Sequence, residues 1–156
     1  MSRKKIKKQK KEIFDSYYNS SYIAKLINYV MLHGKKSLAE KIVYGAMDEL
    51  KEKTSEDPLK YVIDAIENVK PQIETKSRRV GGATYRVPVD VRKERSKALA
   101  IRWIVQAAKA RSGRTFKDKL MAEIQDAYEK KGNAIKQKEV TRKMAEANKA
   151  FAHYKW

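Results

Sequence analysis

At 156 residues with 42% hydrophobic side chains, the chain is long enough to bury a sizeable core and is not a disordered polycation. Its 37 Lys and Arg against 19 Asp and Glu give a formal net charge of +18, a self-repulsion that calls for a polyanionic partner. The lack of cysteine excludes disulfides, a thiol nucleophile and a cysteine metal site, and fits a reducing cytoplasm; no run approaches the roughly 20 apolar residues that cross a bilayer.

The charge is unevenly placed. Residues 1–11 hold seven Lys and Arg and no acid, and residues 70–114 hold thirteen against three acids. Residues 12–69 are net −3 and residues 115–156 net +4. A merely solvated surface mixes signs, so one sign gathered in two segments reads as a binding footprint, for nucleic acid ahead of an anionic membrane.

Residues 1–11 read as a basic N-terminal arm, with Arg3, Lys4, Lys5, Lys7, Lys8 and Lys10 available to phosphates; the alternative is a solvated end. No apolar h-region follows, so the segment is not a secretory signal. Residues 12–156 then read as a single helical domain. From Ser20 the apolar residues Ile23, Leu26, Ile27, Val30 and Met31 keep helical spacing, with Gly34 as C-terminal cap. Ser37 with Glu40 forms a capping box for a second helix carrying Leu38, Ile42, Ala46 and Leu50. Lys35 and Lys36 lie at the turn between the two, where phosphate contact and plain solvation both fit. Asp57-Pro58 starts a third helix, an N-cap acid followed by proline at the first helical position.

Residues 72–91 break the helical period. Gly81-Gly82 between two extended runs is a two-residue hairpin signal. Pairing Val80 with Ala83 sets Arg78 opposite Tyr85, Ser77 opposite Arg86 and Thr75 opposite Pro88; there proline's missing N–H costs no ladder bond. Neither face, Lys76, Arg78, Val80, Tyr85 and Val87 or Ser77, Arg79, Thr84 and Arg86, looks apolar enough to bury against a core. The expectation is an arm reaching roughly 20–25 Å from the body and well ordered only beside a partner.

A fourth helix over about residues 92–110 mixes Leu99, Ile101, Trp103, Ile104 and Val105 with a basic stripe, Arg95, Arg102 and Lys109 at seven-residue spacing. Arg92 precedes it, and Arg111 and Arg114 extend it. Trp103 reads as core, with base stacking as the alternative. Thr115 with Asp118 caps a fifth helix bearing Phe116, Leu120, Met121, Ile124 and Tyr128, and after Gly132-Asn133 a final helix carries Ile135, Val140, Met144, Ala147 and Phe151.

No reactive constellation assembles. His33 and His153 are far apart in sequence without ligand-spaced companions, and Gly81-Gly82 lacks the Lys-Ser/Thr of a phosphate cradle. No enzyme activity, catalytic residue, metal or cofactor is expected.

The string running from Ser77-Arg78-Arg79-Val80-Gly81-Gly82 through Ala83-Thr84-Tyr85 to Val91-Arg92 resembles the family of the bacterial seventh small-subunit ribosomal protein. So do the ending Met144-Ala145-Glu146-Ala147-Asn148-Lys149-Ala150-Phe151-Ala152-His153-Tyr154-Lys155-Trp156, the string Leu99-Ala100-Ile101-Arg102-Trp103 and the string Leu32-His33-Gly34-Lys35-Lys36. The resemblance covers essentially the whole chain. It implies a mainly α fold of about six helices with one protruding β-hairpin between the third and fourth. It also implies a cytoplasmic place in the small ribosomal subunit, binding to the 3′ major domain of small-subunit rRNA, and early assembly of the subunit head. By position, Arg78, Arg79, Tyr85 and Arg86 would lie near exit-site tRNA and mRNA. Lys35, Lys36, Arg92, Arg95, Arg102, Lys109, Arg111 and Arg114 would face rRNA with the N-terminal arm. His153, Tyr154 and Trp156 would meet RNA or a neighbouring small-subunit protein, the eleventh or the ninth. The chain departs from the family pattern at Arg86, where glutamine is common, at Thr141, where histidine is common, and at Gln137-Lys138, where Lys-Arg is common. An architectural DNA-binding protein with a basic β-arm is the alternative, although such arms carry an apolar wedge where this one has Gly81-Gly82.

Overall fold

The computed structural model describes residues 13–54 and 57–154, so the basic N-terminal arm and Trp156 lie outside the described residues. Six α-helices and one antiparallel hairpin follow each other in the expected order. Helix α1, Ser21–Val30, starts where the Ser20 hydroxyl accepts the Tyr22 N–H at 3.3 Å, and it buries Ile23, Ala24, Leu26, Ile27 and Val30. It stops at Met31, three residues before the glycine expected to cap it. His33 and Gly34 both take positive φ, +52° and +73°, in a tight turn closed by the Lys35 N–H on the Leu32 carbonyl at 3.0 Å. Gly34 therefore reverses the chain instead of ending the helix.

Helix α2, Lys36–Thr54, begins one residue ahead of the expected Ser37 cap, and Ser37–Glu40 forms no capping box. Glu40 instead pairs with Lys36, 3.5 Å away one turn earlier. Helix α3, Pro58–Val69, opens as its sequence dictates: the Asp57 carboxylate accepts the Leu59 N–H at 3.1 Å and Pro58 occupies the first turn. Helix α5, Phe116–Tyr128, has the full reciprocal Thr115–Asp118 capping box. Helix α4 spans Lys93–Ala110 and packs on α5, as do α2, α3 and α6.

Helix α5 is thus the hub of the core. Its Leu120, Ile124 and Ala127 meet Met47 and Leu50 of α2, Val62 and Ile66 of α3, and Ile101 and Ile104 of α4 in one buried cluster. Truncating Ile124 there to alanine costs about 2–5 kcal/mol. Trp103 is partly buried against this cluster, so it is core-edge packing.

The last helix divides. Helix α6, Gly132–Ala147, ends at Asn148, and a 3-10 helix, Lys149–Tyr154, follows. Val140, expected on the buried face, is 47% exposed, while Ala134, Ile135 and Ala145 are the buried side chains. The chain thus changes direction before Phe151, which is placed for the hairpin and not for the helical core.

The hairpin pairs β1, Ile73–Val80, with β2, Ala83–Asp90, in the register read from the sequence, including Arg78 with Tyr85 and Thr75 with Pro88. Gly81 and Gly82 have φ of +56° and +89°, the left-handed pair that lets two residues reverse twisted strands. The expectation that neither face can bury is corrected. Val87 is fully buried, Glu74 is buried, and Tyr85 packs on Phe151 and Tyr154 at centroid distances of 5.2 and 5.3 Å. The strands contact α6 and the 3-10 helix along that face. Lys76 and Arg78 disguised it in sequence. Lys76 keeps its ammonium at the exposed edge, 3.4 Å from Glu74, leaving Val87 opposite free to bury. Only the tip, Gly81 to Thr84, stands exposed on every residue.

Candidate nucleic-acid interface

The basic stripe of α4 is where helical geometry puts it. Arg95, Arg102 and Lys109 are all exposed, and Arg92 is exposed at the helix N-cap. Their fates differ. The Arg102 guanidinium lies 5.6 Å from the centre of the Tyr29 ring on α1, with a nitrogen 3.5 Å from the Tyr29 hydroxyl. The ring and the hydroxyl of Tyr29 together hold the orientation of this planar cation.

Lys109 shares a groove of about 570 Å³ with Lys35 and His33. Val30, Met31, Leu32, Leu38, Ile42 and Phe116 supply the groove's apolar walls. The turn after α1 and the end of α4 are thereby joined into one surface, so Lys35 and Lys109, 74 positions apart in sequence, sit on the same groove. Lys36 beside it is exposed with its charge shared with Glu40, and Arg114 is exposed in the loop before α5.

Two members of the set pair with buried carboxylates. Arg111 donates from Nε to Glu123 at 2.6 Å and from its terminal nitrogen to Asp126. The Glu123 side chain is fully buried and also accepts the Ala134 N–H at 3.0 Å, so Arg111 neutralises a carboxylate that holds the start of α6. Gly132 belongs to the same junction: its φ is +88°, and a Cβ there would stand 2.9 Å from Glu123 Oε1. Arg95 places its Nε 2.9 Å from both oxygens of Glu74, tying α4 to the root of the hairpin while the side chain remains 55% exposed.

On the arm, Arg79 and Arg86 are exposed and Arg78 is half-buried. The Tyr85 ring turns inward to Phe151 and Tyr154, so its role in the fold is to seat the arm. His153 is exposed with its ring 4.1 Å from that of Tyr154. The sequence reading passed over Tyr29, the platform for Arg102, and Lys97, which reaches from α4 to the Ser21 hydroxyl at 2.8 Å. An aromatic on a neighbouring helix leaves no mark in the spacing of α4 itself.

Among the described residues no three His, Cys, Asp or Glu side chains gather as a metal site, and no helix is long and apolar enough to cross a membrane. Arg92, Arg95, Arg102, Lys109, Lys35 and Arg114 present exposed guanidinium and ammonium groups, with Lys35 and Lys109 on one groove. Such groups can pair with phosphates and stack on planar rings.

The model of the family described as ribosomal protein S7p/S5e matches residues 2–149. A small ribosomal subunit protein uS7 from Pelagibacter ubique is 53% identical over 156 residues, covering all of both chains. Those from Acetivibrio thermocellus and Thermotoga neapolitana are 59% and 58% identical over 142 residues, 91% of this chain and 91% and 92% of theirs. With a family match over nearly its whole length and relatives above half identity, the chain belongs to the ribosomal protein S7p/S5e family, structural and non-enzymatic components of the small subunit.

Proposed function

We propose that this protein binds the 3′ major domain of small-subunit rRNA, nucleates assembly of the subunit head, and sets its hairpin beside exit-site tRNA and mRNA. The observation that carries the reading is the band of exposed cations from Arg92 through Arg102 and Lys109 to Lys35 and Arg114, on a chain whose relatives are small-subunit proteins. Arg92, Arg102, Lys109, Lys35, Lys36 and Arg114 are the body's phosphate contacts, joined by Arg3, Lys4, Lys5, Lys7, Lys8 and Lys10. Arg79 and Arg86 are the arm's outward contacts, with Arg78 beside them. Arg95, Arg111 and Tyr85 serve mainly by holding the surfaces that carry the others.

The mechanism is multisite phosphate neutralisation. Each ammonium or guanidinium that meets a phosphate releases condensed counterions, and the rigid helical frame selects the RNA shape that presents phosphates at matching positions. The exposed His153 and the neighbouring end of the chain, including Trp156, are proposed to meet a neighbouring small-subunit protein, the eleventh or the ninth, in the cytoplasmic ribosome.

The test is competition. The full chain bound to a transcript of the 3′ major domain should resist displacement by duplex DNA at equal nucleotide concentration. Displacement at parity would favour an architectural DNA-binding protein, a reading already disfavoured by a hairpin tip of two glycines in place of an apolar wedge.

A further inference from the structure

A second basic region lies away from the groove at Lys35 and Lys109. Between α1, the segment leaving α3 and the first turns of α4 is a cleft of about 610 Å³. Lys25, Lys70, Lys93, Lys97 and Lys138 line it against Glu67 and Glu94. Lys70 pairs with Glu67, so the remaining lysines outnumber Glu94.

The cleft is organised around Tyr22. Its hydroxyl donates to Glu67 at 3.0 Å and accepts from Lys70 Nζ at 3.3 Å. Lys97 holds its ammonium 3.3 Å from the centre of the Tyr22 ring and donates to Ser21 Oγ at 2.8 Å. A lysine head fixed in this way loses less side-chain freedom when an anion arrives. Lys25 is half-buried and Lys93 is exposed, and neither has a hydrogen-bond or ion-pair partner among the described residues. At the same wall α4 begins with Arg92 as N-cap and no side-chain cap bond, which leaves the positive end of an 18-residue helix at the rim.

We propose that this cleft is a second RNA site, seating one stretch of sugar–phosphate backbone with Lys25, Lys93 and Lys97 on its phosphodiesters and Tyr22 positioning Lys97. The inference rests on the rRNA reading above and adds a site to it. The cleft also opens at the hairpin root: Gln72 and Val91 line it, and the Val91 N–H donates to the Gln72 carbonyl at 2.9 Å. A backbone seated here fixes the root of the arm to α1 and α4, so anchoring of the body and aim of the arm are set by one contact.

The experiment compares the salt dependence of binding to a 3′ major domain transcript for three full-length proteins. They are the unmodified chain, the triple variant Lys25→Gln, Lys93→Gln, Lys97→Gln, and a control triple at the exposed Lys41, Lys51 and Lys60 on α2 and α3. The slope of log affinity against log salt should weaken by about 2 in the cleft variant, roughly 0.7 per lost contact, and by far less in the control. The single variants Lys25→Gln and Lys93→Gln, which break no bond of the fold, should each weaken it by about 0.7. An unmodified chain with a steep slope and a cleft triple equal to the control would overturn the cleft alone. A flat slope in the unmodified chain would overturn the rRNA reading and the cleft with it. Millimolar AMP should leave RNA binding unchanged; competition by AMP that the cleft triple abolishes would assign the cleft to a free phosphate monoester and overturn the backbone assignment.

Discussion

The ring of Tyr85, in the second strand of the hairpin, stands 5.2 Å from the ring of Phe151 in the 3-10 helix that follows α6. Tyr154 flanks the same ring at 5.3 Å, and Arg86 Nη1 lies 4.0 Å from Met144 Sδ nearby. The arm therefore rests on the final segment of the chain. Whatever partner engages that segment acts also on the arm's direction.

Phe151→Ala should loosen the hairpin without unfolding the body. An aromatic pair contributes about 0.5–1.5 kcal/mol beyond its buried area, so amide exchange across residues 76–86 should accelerate by about 2- to 10-fold. Amides of α3 and α5 should keep their protection. Exchange unchanged in the arm would show that the strands hold their place without the aromatic contact.

Arg111→Met should act on stability ahead of RNA affinity. It strands the buried Glu123 carboxylate, which then keeps only the Ala134 N–H, and such a loss costs about 3–5 kcal/mol. Thermal unfolding should show a large fall in Tm, while the folded fraction should bind rRNA with nearly the parent salt slope. A parent-like Tm with a weakened slope would instead make Arg111 a phosphate contact.

Asp57-Pro58, Thr115 with Asp118, and Gly81-Gly82 were legible in the sequence because each is local chemistry: a cap bond or a turn angle set by residues within four positions. The strand register was legible because two turn residues fix it. The band on α4 followed from helical periodicity. Arg111 and Arg95 were not legible as internal partners, since Glu123 and Glu74 lie 12 and 21 positions away and an arginine stem looks the same facing water or a carboxylate. The apolar face of the hairpin was missed because Phe151 and Tyr154 reach it only after the chain turns at Asn148.

Tyr44 should ionise late. Burial, followed by its hydrogen bond to Asp15 and the charge of that carboxylate, pushes its phenol up to about 12. The phenol of the unfolded chain ionises near 10 and the folded one about two units later, so this contact stabilises the fold fully below pH 10 and ceases to do so as pH rises through about 12. Absorbance titration of phenolate should show a late component that Tyr44→Phe removes. Loss of a phenol that titrates near 10, with the late component unchanged, would mean that Tyr44 is not held in this environment in solution.

Exposed cations on α4 and the turn after α1 are proposed to bind rRNA through its phosphates. The direct measurement is affinity for the 3′ major domain transcript across a range of KCl, for the unmodified chain and for the variant Lys35→Gln, Arg102→Gln, Lys109→Gln, Arg114→Gln. The unmodified chain should show log affinity falling steeply and linearly with log salt, and the fourfold variant should flatten that slope by about 3, near 0.7–0.9 per contact. A slope near zero in the unmodified chain, or an undiminished slope in the variant, would show that these cations do not hold rRNA phosphates.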